Sequence, residues 1–443
     1  MRNAAVATFT LDRQALVDRF DRARLRSNEL FDLIEPGAYY SRPIALRHPI
    51  VFYEGHLAAF AVNTLLKRAL ARPGLDENLE RLFARGIDPE HEPAGDALEW
   101  PERELVRAYV TAAGERVREA LLADDLDRPG DPLLDRAAAA FAIVEHEEMH
   151  HETLQYIFHR LPLTSKRRPE GYRPVPGGDP PRTAQASIPA GMATLGAERH
   201  EIPFGWDNEF PALRARVEAF RIDVHDVTNA AFLEFVNDGG YSRDALWDAD
   251  AWAWRVEHGV EHPLFWEWHE AGWHWRGMFD AIPVPPAWPV YVTLGEARAF
   301  ARWSGARLPT EAEYHRAAFG NHDESERSMP WGDAPVDATR GHLDGASWDP
   351  APAGSHPAGV SAFGVHDLVG NGWEWTSTPF RPFPGFAAMA SYPEYSADFF
   401  DDRHFVIKGA SPATARALVR RSFRNWFRPH YPYVYATFRC VRD

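Results

Sequence analysis

The feature that most restricts this fold is a change of texture near residue 160. Before it, apolar residues recur every three or four positions in LDRQALVDRFDRARLRSNELFDLI (11–34), VFYEGHLAAFAVNTLLKRAL (51–70), ERELVRAYVTAAGERVREALL (102–122) and LLDRAAAAFAIVEHEEMHHETLQYIF (133–158). That period lays one apolar stripe along a helix. Breaks such as RPGLDEN and DLDRPGDP separate the runs, so the spacing predicts a four-helix bundle over 1–161. The next stretch, PLTSKRRPEGYRPVPGGDPPRTAQAS (162–187), has prolines, glycines and basic residues without periodicity and reads as a linker. From Ile188 to the end the chain breaks into short apolar pieces between Gly, Pro, Asn and Asp, with brief helical windows at VTNAAFLEFVNDGG and LGEARAFARWSG. Residues 188–443 are therefore expected to form a loop-rich α+β domain.

Composition removes several classes of function. The hydrophobic content of 45% against 25% charged residues is that of a globular protein with a real core. A net charge of −16 lacks the clustered Lys and Arg that nucleic acid or an anionic membrane requires, so neither is an expected partner and small molecules are. The one cysteine, Cys440, excludes an intrachain disulfide and fits a reducing compartment. The opening MRNAAVATFTLDRQ lacks the apolar run of a signal peptide, and no stretch is long and apolar enough to span a bilayer, so a cytoplasmic location is expected.

Residues 146–152, HEEMHHE, place three histidines and three carboxylates on two helical turns. Residues four apart share a helix face, so His146 and His150 can address one ion, whereas His151 lies about 100° round from His150. Three metal readings compete. HEEMH matches the zinc-hydrolase pattern H-E-x-x-H, in which the glutamate is the general base, but the helical context supplies neither the downstream third ligand nor the neighbouring strand. Glu147 with His150 matches the E-x-x-H of di-iron bundles, but no second E-x-x-H faces it. The third reading is a mononuclear site completed by a histidine from another helix. His56, in the apolar FYEGHLAAF, is the best donor, because an unpaired imidazole there is costly; His48, before Pro49, falls at the helix entrance. Imidazole suits zinc and iron(II) alike, so ligand type alone leaves the metal open. Glu147, Glu148 and Glu152 are near enough in sequence to orient such ligands, or to form a solvated helix face.

The stretches FGWDNEFP (204–211), VTNAAFLEFV (227–236), RLPTEAEYHRAA (307–318) and GVHDLVGNGWEWT (364–376) together resemble the formylglycine-generating, C-type-lectin-like fold family. Behind a DinB-like bundle carrying His56, His146 and His150, they resemble the sulfoxide synthases of ergothioneine biosynthesis and their relative selenoneine synthase. The likeness covers nearly the whole chain. It implies a non-heme Fe(II) cofactor on the three histidines and an O₂-dependent oxidoreductase. Its reaction would join a chalcogen to imidazole C2 of hercynine, a trimethylated histidine. It separates the chain from formylglycine-generating enzymes proper, which need a cysteine pair where KGASPATARALVRRSFRNWF (408–427) has none. A non-catalytic binding module of lectin-like type is the remaining alternative.

The resemblance also assigns residues. Asn425 and Trp426 match the family's Asn-Trp pair beside Arg424: an amide anchors a carboxylate, and an indole face holds a quaternary ammonium. Tyr392, in SYPEYSADFF, matches the family's proton donor, and Tyr395 is a substrate or water contact. A phenol that gives a proton to reduced oxygen keeps the path toward carbon–chalcogen bonding; without it thiol oxidation can win. The donor side departs from the family. The aspartate and arginine that hold γ-glutamylcysteine are replaced by Phe427 and Tyr431, the glutamine before the second helix histidine by Met149, and R-G-G-S-W by KGASP (408–412). Losing such a charge clamp costs a dipeptide donor about 1–3 kcal/mol per missing partner, while the rings of Phe427, Tyr431 and Tyr433 suit a less charged one. The expectation is C–Se coupling with a selenosugar, with cysteine or γ-glutamylcysteine as the alternative sulfur donor and Arg424, Arg428 and His430 as cations still available to a carboxylate.

Overall fold

The computed structural model describes residues 9–84, 99–175, 177–270 and 272–443. The opening segment read above for a signal peptide lies largely outside the described residues. Two compact units emerge: one joins Met1–Tyr172 with Arg199–Phe204 and Met389–Pro393, the other takes the rest.

The first unit is helical. Its elements are α1 (Arg13–Asp32), α2 (Ile50–Ala61), α3 (Glu77–Leu82), α4 (Arg103–Ala123) and α5 (Ala138–His159). Asp12 caps α1 by accepting from the Ala15 N–H, and Pro49 stands at the entrance of α2. The buried stripe of α1, Leu16, Val17, Phe20, Ala23, Ser27, Leu30 and Phe31, follows the helical period, with one serine among the apolar residues. Two short pieces from far along the chain complete the unit: Arg136 donates to the Ile202 carbonyl at 2.9 Å, and Phe141 stacks on Phe204. No helix among the described residues is long and apolar enough to cross a membrane.

Two helices depart from the spacing. The run from 133 becomes α5 only at Ala138, because Arg136 and Ala137 sit at φ 55° and 56°, the left-handed region that breaks a helix. The run from 51 is α-helical to Ala61 and then widens into a π-helix over Val62–Ala69.

The second unit is α+β. Its strands are β1 (Gln185–Ile188), β2 (Gly191–Leu195), β3 (Leu213–Val217), β4 (Phe220–Asp223), β5 (Trp266–His269), β6 (Gly272–Arg276), β7 (Ala281–Pro283), β8 (Gly372–Pro379), β9 (Phe405–Ala410), β10 (Asn425–Phe427), β11 (Ala436–Thr437) and β12 (Val441–Arg442). They form small sheets ordered β1-β4-β12, β10-β9-β8-β11, β2-β3 and β5-β6-β7. The predicted windows are α6 (Asn229–Asn237), capped by Thr228, and α8 (Leu294–Trp303), whose Thr293 and Glu296 form a capping box; α7 (Ala249–Glu257) lies between them. A second capping box, Thr310 with Glu313, starts α9 (Glu311–Phe319), and α10 (Glu394–Ala397) is a single turn. The core packs Ile188, Phe220, Ile222, Tyr314, Phe319, Leu368 and Val441 together. Arg439 is fully buried as well, paired with Glu374 at 2.6 Å and Asp226 at 3.0 Å. The architecture is thus a helical bundle followed by a loop-rich α+β domain, as the change of texture predicts.

Candidate metal centre

His56 on α2 and His146 and His150 on α5 converge: one ligand atom from each lies within 4.8 Å of the others. All three are buried. The 3.6-residue period puts His146 and His150 on one face of α5, their ring centres 4.5 Å apart, and α2 packs against that face, bringing His56 to 5.1 Å and 5.2 Å from them. Burial pushes the His56 imidazolium down to about 4; it also holds His146 and His150 well below the ordinary value, each depressed further by its neighbouring imidazoles. The three rings are therefore neutral at pH 7 and offer lone pairs.

Hydrogen bonding identifies which nitrogens are available. The His56 Nδ1–H donates to the Phe83 carbonyl at 2.7 Å, leaving Nε2 as the lone-pair nitrogen. That Nε2, together with Nδ1 of His146 and Nδ1 of His150, is buried without a hydrogen-bond partner. An unsatisfied buried polar atom costs about 1–3 kcal/mol, and three rings that each carry one, with ligand atoms within 4.8 Å of one another, fit a shared cation. Gly55 is required for this arrangement, since a Cβ there would meet the Phe83 ring at 2.3 Å. Phe60 lies flat on His146, rings 3.6 Å apart at 11°.

Glu147 and Glu148 of HEEMHHE are tied to α1 and not to these rings, and neither faces solvent. Glu147 pairs with Arg24 at 3.0 Å and accepts from the Ser27 hydroxyl at 2.6 Å. Glu148 accepts from Arg19 at 2.9 Å and 2.5 Å, and Arg19 also reaches Glu145 at 3.3 Å. His151 Nε2 donates toward the Ala23 carbonyl and Ser27 Oγ, both at 3.1 Å. All of these partners are on α1, while Glu152 is buried on the next turn of α5. His48 is buried too, its ring 4.1 Å from that of Phe52 and tilted to it by 33°. Met149, by contrast, is half-buried between the two helix histidines.

Tyr392 belongs to the helical unit: its ring lies 5.4 Å from Phe60 and 6.3 Å from His146. In the other unit, β10 holds Asn425 and Trp426 against β9. Trp426 stacks on Phe380 at 4.1 Å and meets Tyr395 edge-on at 5.3 Å, and Tyr395 stacks on Trp206 at 4.1 Å. Phe427 and Tyr431 stack at 5.4 Å, with Tyr433 edge-on to Tyr431 at 5.0 Å. Arg424 is 2% exposed and committed to Glu311 at 2.9 Å and 3.1 Å and to the Asn208 and Arg381 carbonyls. It is a tie within the fold, not the free cation expected from the sequence. His430 stacks on Trp254 at 5.2 Å.

Residues 174–443 match the sulfatase-modifying factor enzyme 1-like domain family, and residues 19–154 match the DinB superfamily. A hercynine oxygenase of Mycolicibacterium smegmatis is 34% identical over 97% of this chain and 99% of its own length. The chain belongs to the ergothioneine-type sulfoxide synthase family. Ergothioneine biosynthesis protein 1 of Neurospora crassa is 27% identical over 91% of this chain and 54% of its own. A formylglycine-generating enzyme of Bos taurus is 32% identical, but over only 46% of this chain and 60% of its own. Sequence reasoning missed the Phe83 carbonyl and the Phe60 ring, which lie against the ligands, and the α1 residues Arg19, Arg24 and Ser27, which tie the neighbouring side chains of α5. Ser27 alone left a signal, as the polar residue inside the apolar stripe of α1.

Proposed function

We propose that this chain holds iron(II) through His56, His146 and His150 and catalyses O₂-dependent oxidative bonding of a chalcogen to imidazole C2 of hercynine. The observation that carries this reading is the convergence of three neutral, buried imidazoles whose free ring nitrogens have no protein partner. Iron(II) so held supplies the one-electron chemistry with O₂ that zinc lacks. Tyr392, whose ring lies 6.3 Å from that of His146, is the proton donor. Asn425 anchors the hercynine carboxylate. Trp426 and Tyr395, stacked among Phe380 and Trp206, present ring faces to the trimethylammonium. Glu147 speaks against the zinc-hydrolase alternative, because its carboxylate is spent on Arg24 and Ser27 instead of activating water.

The relatives' names support carbon–sulfur chemistry on hercynine, and the donor of this chain is a finer proposal. The stacked Phe427 and Tyr431 stand in place of a charge clamp, with Tyr433 edge-on beside them, and Arg424 is occupied by Glu311. Both points favour a donor of low charge, such as a selenosugar, with cysteine or γ-glutamylcysteine as the second reading. Aerobic incubation with iron(II), hercynine and all three donors in competition, read by product mass, tests both levels. A selenium-bearing hercynine adduct is expected. A sulfoxide from cysteine or γ-glutamylcysteine would retain the reaction and refute the donor, whereas no adduct with iron from any donor would refute the reaction.

A further inference from the structure

The helix that carries His56 does not stop at Ala61. It runs on as a π-helix over Val62–Ala69, closed by the Leu70 N–H on the Leu65 carbonyl at 3.0 Å. Such wide turns are rare and gather at functional sites. Counted from His56 at 3.6 residues per turn, position 68 falls about a third of a turn away from the His56 side. Each i→i+5 turn takes up more residues, so the wide stretch sets Arg68 back by roughly that angle, toward the side bearing His56 and Phe60.

There Arg68 meets the short segment Met389–Pro393, which belongs to the same unit. Its Nη1 donates to the Ser391 carbonyl at 3.1 Å and its Nη2 to the Ala390 carbonyl at 2.9 Å. These are the two carbonyls immediately before Tyr392. The segment is a turn without helix or strand, and the Ser391 side chain is buried. A planar fork can span two adjacent carbonyls, which a lysine ammonium cannot do with one geometry. The same side of the same helix also sends Phe60 between His146 and Tyr392.

We propose that Arg68 is the positioning residue for Tyr392: the π-turn aims its guanidinium at the backbone of 390–391, and this clamp fixes the phenol beside His146. The proposal deepens the functional reading, since it rests on Tyr392 acting as proton donor. Because Arg68 lies at the surface and ties only a turn, its loss should loosen that turn without unfolding the bundle.

Two measurements on the full chain test this. In the metal-free protein, hydrogen–deuterium exchange at the amides of 390–392 should quicken about tenfold in Arg68→Ala and by less in Arg68→Lys, with α2 and α5 unchanged. Unchanged exchange in Arg68→Ala overturns the proposal. In the iron-loaded protein with hercynine under air, offered the selenosugar and cysteine in parallel, the ratio of coupled product to oxidised donor should fall in Arg68→Ala in the same direction as in Tyr392→Phe. If Tyr392→Phe lowers that ratio and Arg68→Ala does not, the clamp has no bearing on the reaction and the proposal fails alone. If Tyr392→Phe itself leaves the ratio unmoved, the proton-donor reading fails and the role of Arg68 falls with it.

Discussion

On the α2-facing side of α5, His146 and His150 each keep a buried ring nitrogen without a partner; on the α1-facing side, Glu147, Glu148 and His151 are equally buried and each is hydrogen-bonded. One helix thus presents ionisable side chains at one depth in two states of satisfaction. Proteins pair what they bury, so the saturated side is explained by the fold alone. The unsaturated side is destabilising as it stands and becomes favourable only when a cation takes up the lone pairs. The difference separates residues kept for stability from residues kept for a ligand, although both kinds sit within HEEMHHE.

Substitution on the unsaturated side should therefore remove the metal without harming the fold. His146→Leu replaces a buried imidazole that has an unpartnered nitrogen by an apolar group of similar size, a change that can be neutral or stabilising. The expected result is loss of metal affinity beyond the roughly 10–100-fold that outer partners contribute, and no detectable turnover. The melting temperature of the metal-free protein should hold or rise. Metal analysis of the purified variant together with calorimetry checks both halves, and a large drop in metal-free stability would break the contrast.

The saturated side should behave in the opposite way. Glu147→Ala leaves Arg24, whose side chain is 13% exposed, without its carboxylate. Breaking a buried pair by removing one partner costs about 3–5 kcal/mol, and some access of water to Arg24 puts the expected loss near the lower figure. Denaturant unfolding reads that loss. Metal bound per folded molecule should stay within about twofold of the parent, since Glu147 contacts neither ring. A variant that folds normally yet loses its metal would assign Glu147 to the centre after all.

Much of this was legible from spacing. The 3.6-residue period separates His150 from His151 before any coordinates exist, and an imidazole in the apolar run 51–70 singles out His56. What escaped has a common cause: it depends on backbone geometry away from the motif. The Phe83 carbonyl reaches His56 from 27 residues away, through a main-chain atom that every residue possesses. The π-turn shifts the register after Ala61, so counting at 3.6 residues per turn misplaces Arg68. Tyr392 lies in the sequence among residues of the second unit and yet packs with the first. The carboxylates were ambiguous because a helix wheel tells direction but not neighbour, and here the neighbour was α1 with its arginines.

A milder probe of the unsaturated side acts through the one outer bond that orients a ligand. Gly55→Ala drives its methyl into the Phe83 ring, and a Phe83 residue that shifts to make room draws its carbonyl away from His56. Overpacking of this kind costs about 1–3 kcal/mol, and loss of the orienting bond should lower metal affinity by about tenfold. The double variant Gly55→Ala with Phe83→Ala removes the clash and keeps the carbonyl. Recovery of affinity in chelator competition would show that orientation, not bulk, was lost.

The smallest effect belongs to Ser27→Ala, and it measures how redundant the saturated side is. The Ser27 hydroxyl donates to Glu147 and lies 3.1 Å from His151, but Glu147 keeps Arg24 and His151 keeps the Ala23 carbonyl. Only one net hydrogen bond is lost and no buried charge is stranded, so about 1 kcal/mol of stability should go, with metal content unchanged. A loss as large as that of Glu147→Ala would mean that the hydroxyl couples the two partners, and that the α1 face of α5 acts as one network rather than as separate pairs.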